Sequence, residues 1–247
     1  MKPIYEPKGK AKEYGDYAIN IYTGCPHRCY YCFAPSVLRK DREQFHSCVE
    51  PRPNIVEEVK KQLDKEQITD KLIHLCFTCD PYPTGYDTTP TREIIKAIKA
   101  AGNHVQILTK NGIGALRDFD LLDGADWFGV TYAGYKSSPV VPPSEEPNAG
   151  WPIDRLRALV LAKNKGIHTW VSCEPVFDTD AIYRLIKSGE YIDLFKFGKL
   201  NYYPSDINWK EFGIEAERIC KARGLDYYIK DGLREEMCGK RLEGEKT

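Results

Sequence analysis

The sequence carries no net charge, no long apolar run, and no internal repeat or low-complexity segment. Its 36 lysines and arginines balance 36 aspartates and glutamates. That argues against a chain that coats nucleic acid by bulk charge, while leaving room for a local basic patch. No apolar stretch reaches the length that spans a bilayer. The opening residues, MKPIYEPKGKAKEYGDY, lack the apolar segment of a signal peptide. The expected location is therefore cytoplasmic, with no membrane partner. An apolar share of 42% and a charged share of 29% describe a globular chain, ordered except at its ends. A length of 247 residues is enough for one large domain or two small ones.

Cysteine, by contrast, is plentiful. There are nine, an odd number, and three fall within eight residues. A disulfide framework fits that distribution poorly. Clustered cysteines in a reducing compartment point to metal or catalysis.

Short apolar runs alternate with amphipathic helical ones along the chain. Strands are predicted over 17–22, 72–78, 104–109, 126–132, 168–173 and 192–197, with one more short strand at 226–230. Helices are predicted over 54–65, 114–122, 152–165, 180–188 and 208–223. Asn54 and Glu57 read as a capping box. A further helix has Thr89 as N-cap, Pro90 in its first turn and Gly102 as its stop. Strands and helices in this rhythm imply an α/β fold with a parallel sheet and right-handed crossovers, either an open barrel or a doubly wound sheet. In both cases function gathers at the carboxyl ends of the strands. Those ends carry the unusual residues: a cysteine cluster, then Thr78-Cys79-Asp80-Pro81, Thr109-Lys110-Asn111, Thr131-Tyr132, Ser172-Cys173-Glu174-Pro175 and Gly198-Lys199. The polar, proline-rich stretch from Ala133 to Gly150 is either a lid or binding loop, or a tolerated surface insertion.

The segment GCPHRCYYC gives C-x3-C-x2-C, through Cys25, Cys29 and Cys32. Three thiolates can hold three irons of a cubane cluster and leave the fourth iron open to a small molecule. A structural zinc site would close with four ligands, usually as two separated pairs. No close fourth ligand is evident, although His27 or Cys48 stands within range along the chain.

The motif, its place after the first predicted strand, and the aromatic Tyr31 just before the third cysteine resemble the radical S-adenosylmethionine (SAM) signature. FTCDPYP (Phe77 to Pro83), ILTKNG (Ile107 to Gly112), WVSCEP (Trp170 to Pro175) and FGKLNY (Phe197 to Tyr202) resemble the spore photoproduct lyase-like subgroup. The resemblance implies a partial (β/α)6 TIM-type barrel, with a 4Fe–4S cluster and SAM at the carboxyl edge. It implies reductive cleavage of SAM to a 5′-deoxyadenosyl radical that takes hydrogen from a substrate. It also implies a one-electron reductant such as flavodoxin or ferredoxin, and a nucleic acid or nucleotide-derived substrate. Domain bounds follow: an extension over 1–16, a core over 17–230 and a tail over 231–247.

The glycine-glycine-glutamate stretch common after the second strand is absent, and TCDPYP stands in its place. Thr78 or Asp80 is then the candidate for the SAM amino group, unless Asp80-Pro81 only begins a turn. Lys110 resembles the lysine that meets the SAM carboxylate. Period-two alternation places Trp170, Ser172 and Glu174 on one strand face and Val171 and Cys173 on the other. Ser172 and Glu174 become candidates for the ribose or methionyl part, and Cys173 for packing. Tyr31, Thr131 and Lys199 complete the candidate cofactor set at the strand ends.

Cys79 is the candidate hydrogen-atom donor, with Cys48, Cys173 and Cys238 as rivals. Cys76 and Cys220 read as buried small hydrophobes. The run Arg39-Lys40-Asp41-Arg42, beside Tyr30, Tyr31 and His46, is a candidate phosphate contact or simply a solvated face. Two other functions stay open: radical chemistry on a peptide or small metabolite, and a metal-stabilised binding protein without catalysis.

Overall fold

The computed structural model describes residues 2–135 and 143–239. Eight strands lie side by side in chain order: β1 (Ile4–Tyr5), β2 (Tyr17–Ile19), β3 (Leu72–Leu75), β4 (His104–Thr109), β5 (Trp127–Thr131), β6 (His168–Cys173), β7 (Leu194–Phe197) and β8 (Asp226–Ile229). Strands β2 to β8 are all parallel, and β1 pairs antiparallel with β2 through Ile4↔Ile19 and Tyr5↔Ala18. The helices are α1 (Ala34–Leu38), α2 (Arg42–Ser47), α3 (Ile55–Glu66), α4 (Thr89–Ala100), α5 (Gly112–Ala115), α6 (Pro152–Asn164), α7 (Thr179–Ser188), α8 (Trp209–Arg223) and α9 (Asp231–Met237). None of them is long and apolar enough to cross a membrane.

The two faces of the sheet differ in chemistry. Ile73, Leu75, Val105, Ile107, Phe128, Val130, Val171, Cys173, Phe195 and Phe197 alternate onto the outer face and belong to the buried core. Each large apolar side chain buried there contributes about 1.5–3 kcal/mol. Helix α4 supplies Ile94, Ile95 and Ile98 to that core.

The inner face is polar. In a parallel ladder, paired residues share a face, and the pairs include His74↔Gln106, Gly129↔Trp170 and Thr131↔Ser172↔Lys196↔Tyr228. His74 on β3 lies 6.3 Å from Trp170 on β6, ring to ring. In a flat sheet, strands three steps apart stand about 14 Å from one another. The sheet is therefore curled around a lumen. Trp170 fills its middle, donating from Nε1 to the Ile107 carbonyl at 3.0 Å. Gly129 is required opposite, because a Cβ there would stand 2.2 Å from that indole nitrogen.

The curl does not close into a ring, since β1 and β8 are unpaired edges. The sheet is an open, mostly parallel partial barrel, with seven parallel strands and one antiparallel strand drawn from the predicted extension. Residues 9–14 lie across the gap between the edges. Lys10 Nζ reaches Asn201 Oδ1 at 3.0 Å, and the Glu13 carboxylate accepts the Asp231 N–H at 2.8 Å.

Several predicted boundaries shift for physical reasons. Strand β2 stops at Ile19 rather than Tyr22, because the Asn20 side chain takes the N–H groups of Phe77 and Thr78 (both 2.8 Å). The capping box at Asn54 does not form: Asn54 is left-handed (φ 52°) and its side chain makes no cap bond. Helix α4 begins at Thr89 with Thr88 as N-cap, and Asp87 Oδ1 accepts from the Thr89 N–H at 2.9 Å. The helix predicted over 114–122 is a short α5 followed by a 3₁₀ turn at Leu116–Asp118.

Candidate active site

The segment after β2 carries the three cysteines, and the surrounding chain fixes its backbone. Gly24 presses against the start of this loop, where a Cβ would meet the Phe45 carbonyl at 2.3 Å. The Cys25 N–H donates to that same carbonyl at 3.2 Å, and His46 Nδ1 lies 2.8 Å from the Cys25 oxygen. Arg42 donates to the carbonyls of Cys29, Tyr30 (2.6 Å) and Cys32 (3.2 Å). Lys40 donates to the Thr23 carbonyl at 2.8 Å, and Asp41 caps α2 through the Gln44 N–H at 2.9 Å. The basic run expected either at a phosphate or in solvent is thus spent largely on holding the cysteine loop.

The other candidates ring this loop. His27 ties it to the β3 end, with Nε2 3.0 Å from Thr84 Oγ1 and Nδ1 3.5 Å from Asp80. Burial lowers the His27 pKa to about 4, so it is neutral. Asp80 acts as a clamp. Its Oδ1 accepts from Tyr82 N (2.8 Å) and Thr109 Oγ1 (2.6 Å), and its Oδ2 from Lys110 N (2.8 Å). Thr78 Oγ1 is buried and has no partner among the described residues.

Lys110 Nζ sits 5.6 Å from the centre of the Tyr31 ring. Burial works against its charge, but Cys29 and Glu146 hold its pKa above the ordinary lysine value. Thr131 ends β5, its carbonyl accepting from Arg155 Nη1 at 3.0 Å.

On β6, the predicted alternation is observed. Val171 and Cys173 lie in the core, and Ser172 faces the lumen with Trp170. The Tyr14 hydroxyl lies 3.4 Å from Ser172 Oγ and donates to Glu174 Oε2 at 3.2 Å. Lys230 at the end of β8 pairs with Glu174 and donates to the Tyr14 oxygen at 3.2 Å. Lys199 turns instead to Glu236 on α9, at 2.6 Å. Cys79 Sγ accepts from the Tyr22 N–H at 3.4 Å, on the side of β2 rather than among the lumen groups.

Sequence reasoning missed several of the residues around the site. Glu146 and Arg155 are both fully buried, 2.6 Å apart, and Glu146 also accepts from Tyr135 (2.7 Å) and from the Tyr31 hydroxyl. Asn148 N and Nδ2 donate to the carbonyls of His27 (3.2 Å) and Pro26 (3.0 Å). The stretch from Ala133 to Gly150 therefore docks on the cysteine loop through its described parts, while 136–142 lie outside the described residues. No periodicity marks Glu146 or Arg155 for this role. Lys196 and Lys230 were also missed, but the alternation that found Ser172 would have found them.

A family model described as the radical SAM superfamily matches residues 19–171. The chain belongs to the radical SAM superfamily. The cofactors of that superfamily are a 4Fe–4S cluster and SAM. Among solved structures, the radical SAM fold here is similar to spore photoproduct lyase complexed with dinucleoside spore photoproduct. The TM-score is 0.66 at 14% identity, over 91% of this chain and 79% of that one. It is likewise similar to SuiB from Streptococcus suis bound to SAM, with a TM-score of 0.64 at 12% identity over 93% and 53% of the two chains. Curated relatives include the uncharacterized protein ORF301 of Acidianus two-tailed virus, 28% identical over 74% of this chain and 63% of that protein. Another is the uncharacterized protein Rv2578c of Mycobacterium tuberculosis, 28% identical over 72% and 53%. The chain thus spans between half and two thirds of the length of these relatives.

The residues present fit the radical SAM cofactors. Cys25, Cys29 and Cys32 are free thiols. Burial pushes the Cys29 thiol up to about 12 and raises Cys25 and Cys32 as well. Three free thiols carried on one fixed loop are the donor type an iron–sulfur cluster takes, since a coordinating cation deprotonates a thiol outright. The orphaned Thr78 hydroxyl after β3 and the Lys110 ammonium, whose charge acts on Cys29, offer a neutral contact and a cation to a bound ligand.

Proposed function

We propose that the protein is an enzyme that cleaves SAM reductively and abstracts hydrogen from a nucleic acid or nucleotide-derived substrate in a lyase-like or repair-like reaction. The observation that carries this reading is the set of three free thiols beside Lys110, at the carboxyl edge of a partial barrel. When bound, the cluster and SAM supply one-electron cleavage of a carbon–sulfur bond and a 5′-deoxyadenosyl radical.

The protein's own residues then bind and orient. Cys25, Cys29 and Cys32 hold the cluster, with Tyr31 packed beside them through Glu146. Lys110 meets a carboxylate as a fixed cation. Thr78 accepts from or donates to the amino acid part of SAM. Thr131, Ser172 and Glu174 line the edge where a ribose would lie. Asp80 acts chiefly through Thr109 and Lys110, whose positions it sets. A contact from Lys199 requires it to leave Glu236, and hydrogen donation by Cys79 requires its sulfur to leave the Tyr22 N–H. A cytoplasmic flavodoxin or ferredoxin is the electron donor in this reading.

The substrate class draws support from the likeness to spore photoproduct lyase in complex with its dinucleoside. A structure of SuiB bound to precursor peptide SuiA reaches a TM-score of 0.64, which favours a peptide as the second reading. The test is anaerobic reconstitution with iron and sulfide, reduction, addition of SAM and an assay for 5′-deoxyadenosine. Formation by the wild type and not by Cys29→Ala supports the reaction. A loaded, reduced cluster that yields none overturns it. Dinucleotide and peptide pools added in parallel separate the two substrate classes.

A further inference from the structure

Two cysteines outside the cluster loop form a pair whose thiol chemistry is separate from cluster binding. Cys76 and Cys79 stand in C-x-x-C spacing where the chain leaves β3. The Cys76 thiol is buried, and the Cys79 sulfur is partly exposed. Cys79 Sγ also accepts from the backbone N–H of Tyr22 at 3.4 Å. Cys76 is held in place by its own N–H to the Ile19 carbonyl at 2.8 Å, with φ at 70°. The Arg52 guanidinium is the nearby cation, and its Nε is buried with no partner among the described residues.

We infer that Cys76 and Cys79 are a redox-active dithiol, with Cys79 as the attacking thiolate and Cys76 as the resolving thiol. The geometry sets these roles. The Tyr22 N–H points at the Cys79 sulfur, and the Cys76 thiol and the Arg52 charge favour its thiolate as well. Such electropositive, partly exposed surroundings distinguish a reactive cysteine from an inert buried one. Burial opposes ionisation of Cys79, yet these groups bring its pKa below the ordinary value, while burial and the neighbouring Cys79 push Cys76 well up.

The co-reactant is a low-molecular-weight disulfide such as oxidised glutathione. Cys79 thiolate attacks one sulfur, forms a mixed disulfide and releases one glutathione thiolate. Cys76 gives up its proton, attacks Cys79 Sγ and releases the second glutathione. The protein is oxidised by two electrons, and one glutathione disulfide becomes two glutathiones. The bond would close around Phe77 and Thr78, next to Asp80, so oxidation would act on the strand end that carries the candidate SAM contacts.

The test uses the cluster-loaded protein under anaerobic conditions and does not depend on turnover. Oxidised glutathione is added, remaining thiols are blocked with iodoacetamide, and peptides are mapped by mass spectrometry. The expected product is a Cys76–Cys79 disulfide, reversed by dithiothreitol. Cys76→Ser should accumulate a glutathione adduct on Cys79, and Cys79→Ser should leave Cys76 unmodified. Alkylation of Cys79 at pH 7 should outpace that of the exposed Cys48, and Arg52→Met should slow it. Circular dichroism establishes that each variant is folded. Glutathione adducts on Cys48 and Cys238 alone would overturn the inference, as would Cys79 reacting no faster than Cys48.

Discussion

Removing the Glu146 carboxylate should unsettle the protein well beyond the loop that carries it. Glu146 and Arg155 are both fully buried and stand 2.6 Å apart. Glu146→Ala leaves the guanidinium inside with hydroxyls and carbonyls but no counter-charge, and the Tyr31 and Tyr135 hydroxyls lose their acceptor. Breaking a buried pair from one side costs about 3–5 kcal/mol. At about 2–4 °C per kcal/mol for a domain of this size, the melting temperature should fall by about 6–20 °C. The assay is thermal unfolding followed by circular dichroism at neutral pH, for wild type, Glu146→Ala, Arg155→Met and the double variant Glu146→Leu/Arg155→Met. The double variant should recover much of the loss, because it leaves no unpaired charge. Burial raises the Glu146 pKa, but Arg155 and Lys110 bring it below the ordinary glutamate value. A depressed carboxylate contributes stability that is present above its unfolded pKa and lost as pH falls through the folded one. The gap between wild type and Glu146→Ala should therefore narrow in acid. A melting point of Glu146→Ala within about 2 °C of wild type, or a double variant no better than the single, would refute the reasoning.

Other changes follow from the same geometry. Arg42→Ala removes the donor to three carbonyls of the cysteine loop, so it should lower iron content after reconstitution while leaving far-ultraviolet dichroism intact. Gly129→Ala sets a methyl against the Trp170 indole and should cost about 1–3 kcal/mol in denaturant unfolding; smaller substitution of Trp170 in the same chain should relieve it. Burial lowers the pKa of His74 from 6.5 to about 4, and its Nε2 has no partner among the described residues. The unfolded chain then takes up a proton that the folded one refuses, so stability falls as pH drops from 6.5 towards 4, at about 1.4 kcal/mol per pH unit for this group. His74→Phe should flatten that part of the profile. Lys110→Met should lower SAM affinity, read by equilibrium binding, with little change in iron content; an unchanged affinity would remove Lys110 from the proposed SAM contacts.

Much of this architecture is legible in the sequence because two regular signals carry it. Alternation along the strands separates Val171 and Cys173 from Trp170 and Ser172, and the core contains the first two. The cysteine spacing marks its loop without help from any other element. The illegible parts are those with no period. Strand β1 is two residues long, too short for alternation to register. Glu146 lies in a proline-rich stretch and finds Arg155 only once β5 and α6 are packed. A basic run such as Arg39 to Arg42 shows its charge in sequence, but not that its partners are carbonyls of the chain itself. Asn20 stops β2 through a side-chain bond to residues 57 and 58 positions away, and no local rule could find it.

Strands in chain order have a consequence for how the molecule is born. Each parallel strand can add to the one made just before it, so the sheet can grow as the chain emerges, one strand at a time. The cysteine loop appears early in that sequence, but its anchors do not. Asn148 and Arg155 arrive more than a hundred residues later, and the Tyr203 hydroxyl that holds the Tyr30 carbonyl at 2.8 Å is 173 residues away. The edge-to-edge clasp of Tyr14 with Lys230 is 216 residues apart and forms last. Nascent chains shorter than about Arg155 should therefore display the three thiols without retaining iron, because the anchors of their loop have not yet been made.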